Sequence, residues 1–92
     1  MMIKIRYLFQ LREVTKLKEE GLEVPDQCTI EEALRTLTAK YGEALFKYMF
    51  DKAGSFIPRA RVFLNGRDIR FLDGFKTALK PEDAISLIPA AR

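Results

Sequence analysis

RVFLNGRDIRFLDGFKTALKPEDAISLIPAAR, residues 61–92, holds two apolar-alternating segments connected through turns. In residues 60–65, Ala60, Val62 and Leu64 fall on one face and Arg61, Phe63 and Asn65 on the other, which is the period of a half-buried strand. Asn65-Gly66 tolerates positive φ and marks a hairpin. Residues 67–70 therefore read as a short return strand, and residues 71–79 as a compact connection turning at Asp73-Gly74. Lys80-Pro81-Glu82-Asp83 is turn chemistry with proline at its second position. Residues 84–88 form the last strand, Ile85 and Leu87 inward and Ser86 and Ile88 outward, and Pro89 stops it. An apolar run thus leads into the end of the sequence, and a chain end delivered from a core strand is expected to be used.

Working outward from there, residues 2–9 alternate, with Ile3, Ile5, Tyr7 and Phe9 on one face and Met2, Lys4, Arg6 and Leu8 on the other, which predicts a first strand. Residues 10–19 are charged with scattered apolar positions and read as an irregular or briefly helical connection. Leu22-Glu23-Val24 is a second short strand between Gly21 and Pro25. Thr29-Ile30-Glu31-Glu32 fits a capping box. Ile30, Ala33, Leu34, Leu37 and Tyr41 then recur at helical spacing, with Gly42 where a left-handed C-terminal cap is wanted. Leu45, Phe46, Met49 and Phe50 predict a shorter second helix within residues 43–52.

The elements run strand, strand, helix, short helix, then three strands. One long helix and a mixed sheet of about five strands predict a two-layer α+β domain over residues 1–92, with residues 89–92 as a C-terminal tail. If the first and last strands pair in the middle, they must run parallel, because the chain crosses over between them through the helix. That is the β-grasp, or ubiquitin-like, arrangement.

Composition narrows the function further. At 92 residues, 48% of them hydrophobic and 32% charged, the chain has one ordinary globular core. No apolar run is long enough to cross a bilayer, and the N-terminus interleaves Lys4 and Arg6 with its apolar residues, unlike a signal peptide. A cytoplasmic protein is expected. There is one cysteine, Cys28, and no histidine, which removes most metal sites and imidazole acid-base chemistry. No catalytic residue and no metal ligand is assigned; any chemistry the chain joins must be catalysed by another protein.

Three apolar residues point away from the predicted helix side: Leu8, Phe63 and Ile88. Either they are ordinary isolated exposures or lie under the shorter helix, or they form a partner-binding patch beside the tail. Arg61, Arg67 and Arg70 are read as solvated side chains of edges and turns. With Phe63 the one outward aromatic of an RNA-binding pattern, no nucleic-acid partner is expected. Asp73-Gly74 and Glu82-Asp83 read as structural turns. Cys28 reads as a passive small residue rather than a reactive thiol.

Three segments, MIKIRYLFQLREV, TIEEALRTLTAKYG and VFLNGRDIRFLDGFKTALKPEDAISLIP, together span nearly the whole chain. In order and spacing they resemble the MoaD/ThiS family of ubiquitin-like sulfur carriers, the MoaD side most. The resemblance implies a carrier with no bound cofactor. In the family the tail's terminal carboxylate is adenylated by an E1-like enzyme using ATP and converted to a thiocarboxylate. A MoaD protein then delivers sulfur to the large subunit of molybdopterin synthase for molybdenum or tungsten cofactor synthesis. The family tail runs apolar, proline, small residues, Gly-Gly. Ile88, Pro89, Ala90, Ala91 and Arg92 follow that pattern to two residues short of its end. Because the match fails only by stopping, the expectation is a diglycine beyond Arg92 that was lost or clipped; a divergent, tail-less interaction module is the alternative. Sulfur supply for tRNA thiolation or another cofactor, and a ubiquitin-like modifier joined to lysines, use the same activation. The residues do not separate these acceptors.

Overall fold

In the computed structural model, which describes residues 1–90, strand β1 (Met2–Tyr7) buries Ile3, Ile5 and Tyr7 and exposes Met2, Lys4 and Arg6, as the alternation requires. The strand stops two residues earlier than expected. Phe9, expected inward, has φ 50° and is 66% exposed. The chain turns there into a six-residue helix α1 (Gln10–Thr15), and Leu11 takes the core position that Phe9 leaves. The Arg12 Nε donates to the Tyr7 carbonyl at 2.8 Å and holds the turn.

Strand β2 (Glu19–Glu23) pairs antiparallel with β1 and begins three residues before the expected start. Its acidic opening, poor in strand propensity, is held by tertiary partners. Glu19 lies 3.5 Å from Lys4 and 3.7 Å from Arg6. Glu20 accepts from the Tyr7 hydroxyl at 2.5 Å, from Lys40 at 2.7 Å and from the Tyr41 hydroxyl.

Helix α2 (Ile30–Tyr41) carries the expected capping box: the Glu32 N–H donates to Thr29 Oγ1 at 3.3 Å and the Thr29 N–H to Glu32 Oε1 at 3.0 Å. Ile30, Ala33, Leu34 and Leu37 are buried. Gly42, at φ 68° and ψ −152°, ends α2 and starts α3 (Glu43–Met49), its N–H donating to Thr38 and its carbonyl accepting from Phe46. This is not the expected left-handed cap, whose ψ would be positive, but an extended region essentially open to glycine alone, adopted because the chain starts α3 at once.

Strands β3 (Arg61–Leu64) and β4 (Arg67–Asp68) form the Asn65-Gly66 hairpin, both turn residues at positive φ. The return strand has two residues instead of four. The Asp68 carboxylate accepts the Arg70 N–H at 2.9 Å and grips its guanidinium at 2.8 Å, bending the chain into a 3-10 turn at Ile69–Phe71 that buries Ile69. Strand β5 (Ala84–Ile88) closes the sheet as expected.

The sheet order is β2-β1-β5-β3-β4, with β1 and β5 parallel and every other pair antiparallel. This is the β-grasp architecture, α+β, with the helices on one face of a mixed five-stranded sheet. Ile5, Tyr7, Ile30, Leu37, Leu45, Met49, Val62, Ile85 and Leu87 fill the space between, each essentially inaccessible to water. At roughly 1.5–3 kcal/mol per large side chain, this burial is the main force holding the two layers together.

Candidate functional site

β5 lies in the middle of the sheet, so its outward side chains have neighbours on both flanks. Arg6 of β1 stands opposite Ser86, and Phe63 of β3 opposite Ser86 from the other side. One step further along, the Leu8 N–H donates to the Leu87 carbonyl at 3.2 Å, and Arg61 stands opposite Ile88. The structure therefore brings Leu8, Phe63 and Ile88 onto one shallow depression of about 450 Å³, each of them half-buried. Arg6, Arg12, Lys18 and Glu19 rim it, and α3 contributes no residue to its lining.

A second depression adjoins the first through Ile88 and is lined by Phe9, Gln10, Arg59, Ile88 and Pro89. Phe9 is the member that strand periodicity assigns to the core. The Gln10–Thr15 segment that pulls it outward carries only a weak helical signal in the sequence. Beyond β5 the chain does not leave the surface at once. Pro89 and Ala90 are buried, and the Ala90 N–H donates to the Tyr48 carbonyl at 3.0 Å. Tyr48 lies in the last turn of α3, where carbonyls lack an intrahelical partner. Ala90 thus caps the helix and seats the chain against it. Ala91 and Arg92, the other two tail residues, lie outside the described residues.

The arginines prominent in the sequence do not all gather here. Arg70 is spent on Asp68, and Arg61 donates to the Pro58 and Ala60 carbonyls and lies 4.0 Å from Asp68. Cations at the depression come instead from Arg6 of β1 and from Arg12 and Lys18 of the β1–β2 connection. Cys28 is buried, its thiol donating to the Thr29 carbonyl at 3.4 Å; burial and then the Glu32 charge push its pKa up, away from thiolate chemistry. The acidic turns are structural: Asp83 accepts from Asn65 at 2.9 Å and from the Lys80 N–H at 2.8 Å. Among the described residues no group of three or more metal-ligating side chains is assembled. None of their helices is long and apolar enough to cross a membrane.

A ubiquitin-like β-grasp domain with its last strand central and an apolar depression at that strand's end defines the class. Residues 5–92 match the ThiS family, and the chain belongs to it. It is 35% identical over 89 residues to small archaeal modifier protein 3 of Haloferax volcanii, covering 97% of this chain and 95% of that protein. A putative sulfur carrier protein of Archaeoglobus fulgidus is 25% identical over 81 residues, covering 87% and 91% of the two chains. Among solved structures, the solution structure of the Haloferax volcanii HVO 2177 protein superposes with a TM-score of 0.85 at 34% identity, covering 100% of this chain and 85% of that one. The chain is thus one of the ubiquitin-like sulfur carriers and protein modifiers.

Proposed function

We propose that this protein carries sulfur on its terminal carboxylate, as the small subunit of molybdopterin synthase, for molybdenum or tungsten cofactor synthesis. The single observation that carries the reading is a central strand, β5, whose end lies at an apolar depression lined by Leu8, Phe63 and Ile88. Residues 1–88 are the body and 89–92 belong to the working tail. Leu8, Phe63 and Ile88 are the docking patch for the activating enzyme and then for the large synthase subunit.

The chemistry asks little of the body. The tail carboxylate attacks the α-phosphorus of ATP on an E1-like enzyme, pyrophosphate leaves, and an acyl adenylate forms. A sulfur nucleophile at the oxidation level of sulfide then displaces AMP and leaves a thiocarboxylate. A chain without histidine and with its one thiol buried fits a group that is carried rather than a group that catalyses. Incubating the full gene-encoded chain with the E1-like enzyme, ATP and a sulfide donor is expected to raise its intact mass by the exchange of one oxygen for sulfur. No gain would sink the reading. Copurification with a large synthase subunit is expected if molybdopterin is the destination.

A second reading has one observation in its favour, the similarity to small archaeal modifier protein 3. In that reading the same adenylate on this chain is attacked by a lysine amine of a target protein, AMP leaves, and an isopeptide bond forms. High-mass conjugates of the tagged chain in cells, in place of a copurifying synthase, would select it.

A further inference from the structure

The rim of the docking depression is strongly one-signed. Arg6, Arg12, Lys18 and Arg59 surround Leu8, Phe63, Ile88 and Pro89, with Glu19 the one carboxylate among the lining residues. Glu19 is itself flanked by Lys4 and Arg6. Four cations against one carboxylate leave an excess of three, and the formal net charge of the whole chain is +3. That local excess of positive charge gives this face a positive field.

We propose that the partner surface fitting this face is an acidic protein segment: one or two apolar side chains seated on Leu8, Phe63 and Ile88, ringed by carboxylates that meet Arg12, Lys18 and Arg59. The inference rests on the docking role just proposed for the patch and adds the chemistry of its occupant. Apolar anchors supply the contact, and the ring of opposite charge sets register, association rate and salt dependence. Nucleic acid fits less well. Its phosphates need cations but make no use of the aliphatic side chains of Leu8 and Ile88 that line the depression. Arg12 is already oriented, its Nε on the Tyr7 carbonyl leaving the outer guanidinium nitrogens for a carboxylate.

The test is an amide-resonance titration of the isotope-labelled chain with three probes: a synthetic peptide of glutamates flanking a Leu-Phe pair, the same peptide with lysines for glutamates, and a single-stranded DNA oligonucleotide. The glutamate peptide is expected to shift Leu8, Arg12, Lys18, Phe63 and Ile88 and to bind more weakly as salt rises. The side chains of Lys18 and Arg59 make no hydrogen bond or ion pair among the described residues, and the one bond Lys18 does make is through its backbone carbonyl, which accepts from the Tyr7 N–H at 2.8 Å, so K18E/R59E is expected to fold normally. The double variant should lose about tenfold in affinity for the glutamate peptide and gain affinity for the lysine peptide, a reversal that misfolding does not produce. Tighter binding of the native chain to the lysine peptide or the oligonucleotide, or shifts confined to other surfaces, would overturn the proposal. The two readings fail separately. A chain that takes the acidic peptide but never gains sulfur keeps this surface and loses the carrier chemistry, and the converse result loses only the surface.

Discussion

Glu20 shows what a single polar residue does at the edge of this core. Burial pushes its pKa up, but the hydrogen bonds from Lys40, Tyr41 and Tyr7 outweigh burial and hold the carboxyl below its ordinary value of 4.5. Since the folded pKa is the lower one, the unfolded chain takes up its proton first as pH falls. The stability Glu20 contributes is therefore complete above the ordinary value and is lost as pH drops through the folded one. Glu20→Gln keeps the shape but removes the charge, and is expected to cost about 2 kcal/mol at neutral pH, the range for hydrogen bonds to charged groups. Urea midpoints measured from neutral to acid pH should fall less steeply for the variant; parallel curves would show that Glu20 is not the titrating contributor. Such a residue is illegible in sequence because its three partners come from β1 and from the last turn of α2, 13 to 21 residues away. Phe63 is the opposite case. Its outward direction follows from alternation alone, and the fold needed only to supply Leu8 and Ile88 beside it. Phe63→Asp is expected to abolish loading by the E1-like enzyme while leaving the melting temperature within a few degrees; collapse of the fold would return Phe63 to the core.

At the scale of elements, legibility tracked how local the determining interactions are. α2 was readable to the residue because its capping box, its apolar spacing and Gly42 are all written within fourteen consecutive positions. β2 and β4 were misjudged in length because their limits are set by side chains elsewhere or by a carboxylate that bends the chain, Glu19 and Glu20 extending one and Asp68 cutting the other short. Gly42 joins two helices with no spacer, at a backbone angle where any side chain is strained although a Cβ there would meet nothing within 4 Å. Gly42→Ala is therefore expected to destabilise by about 1–3 kcal/mol through backbone strain alone. Thr29→Ala, which loses the cap at the other end of α2, should cost about 1 kcal/mol. Urea unfolding of the two variants checks the order, and a neutral Gly42→Ala would mean that the α2–α3 junction relaxes freely.

For the whole molecule, the decisive inference was that crossing through a helix forces the first and last strands to run parallel, and Lys4–Tyr7 beside Ala84–Leu87 do so. What the sequence could not show was which residues that pairing would bring together on the outer face. Leu8, Arg12 and Lys18 are near one end of the chain and Phe63, Arg59 and Ile88 near the other, and only the closed sheet makes them neighbours. The division of labour between the two faces is testable along a single strand. Ile85 is wholly buried against the helices, whereas Ile88, three residues on, is half-exposed at the depression. Ile85→Ala should cost about 2–5 kcal/mol and lower hydrogen-exchange protection across β1, β3 and β5 together, since those strands share one core. Ile88→Ala should cost about 1 kcal/mol or less and leave that protection in place. Equal losses at the two positions would mean that the outer face is structural core, and a surface that the body needs for its own stability could not also be released to a partner.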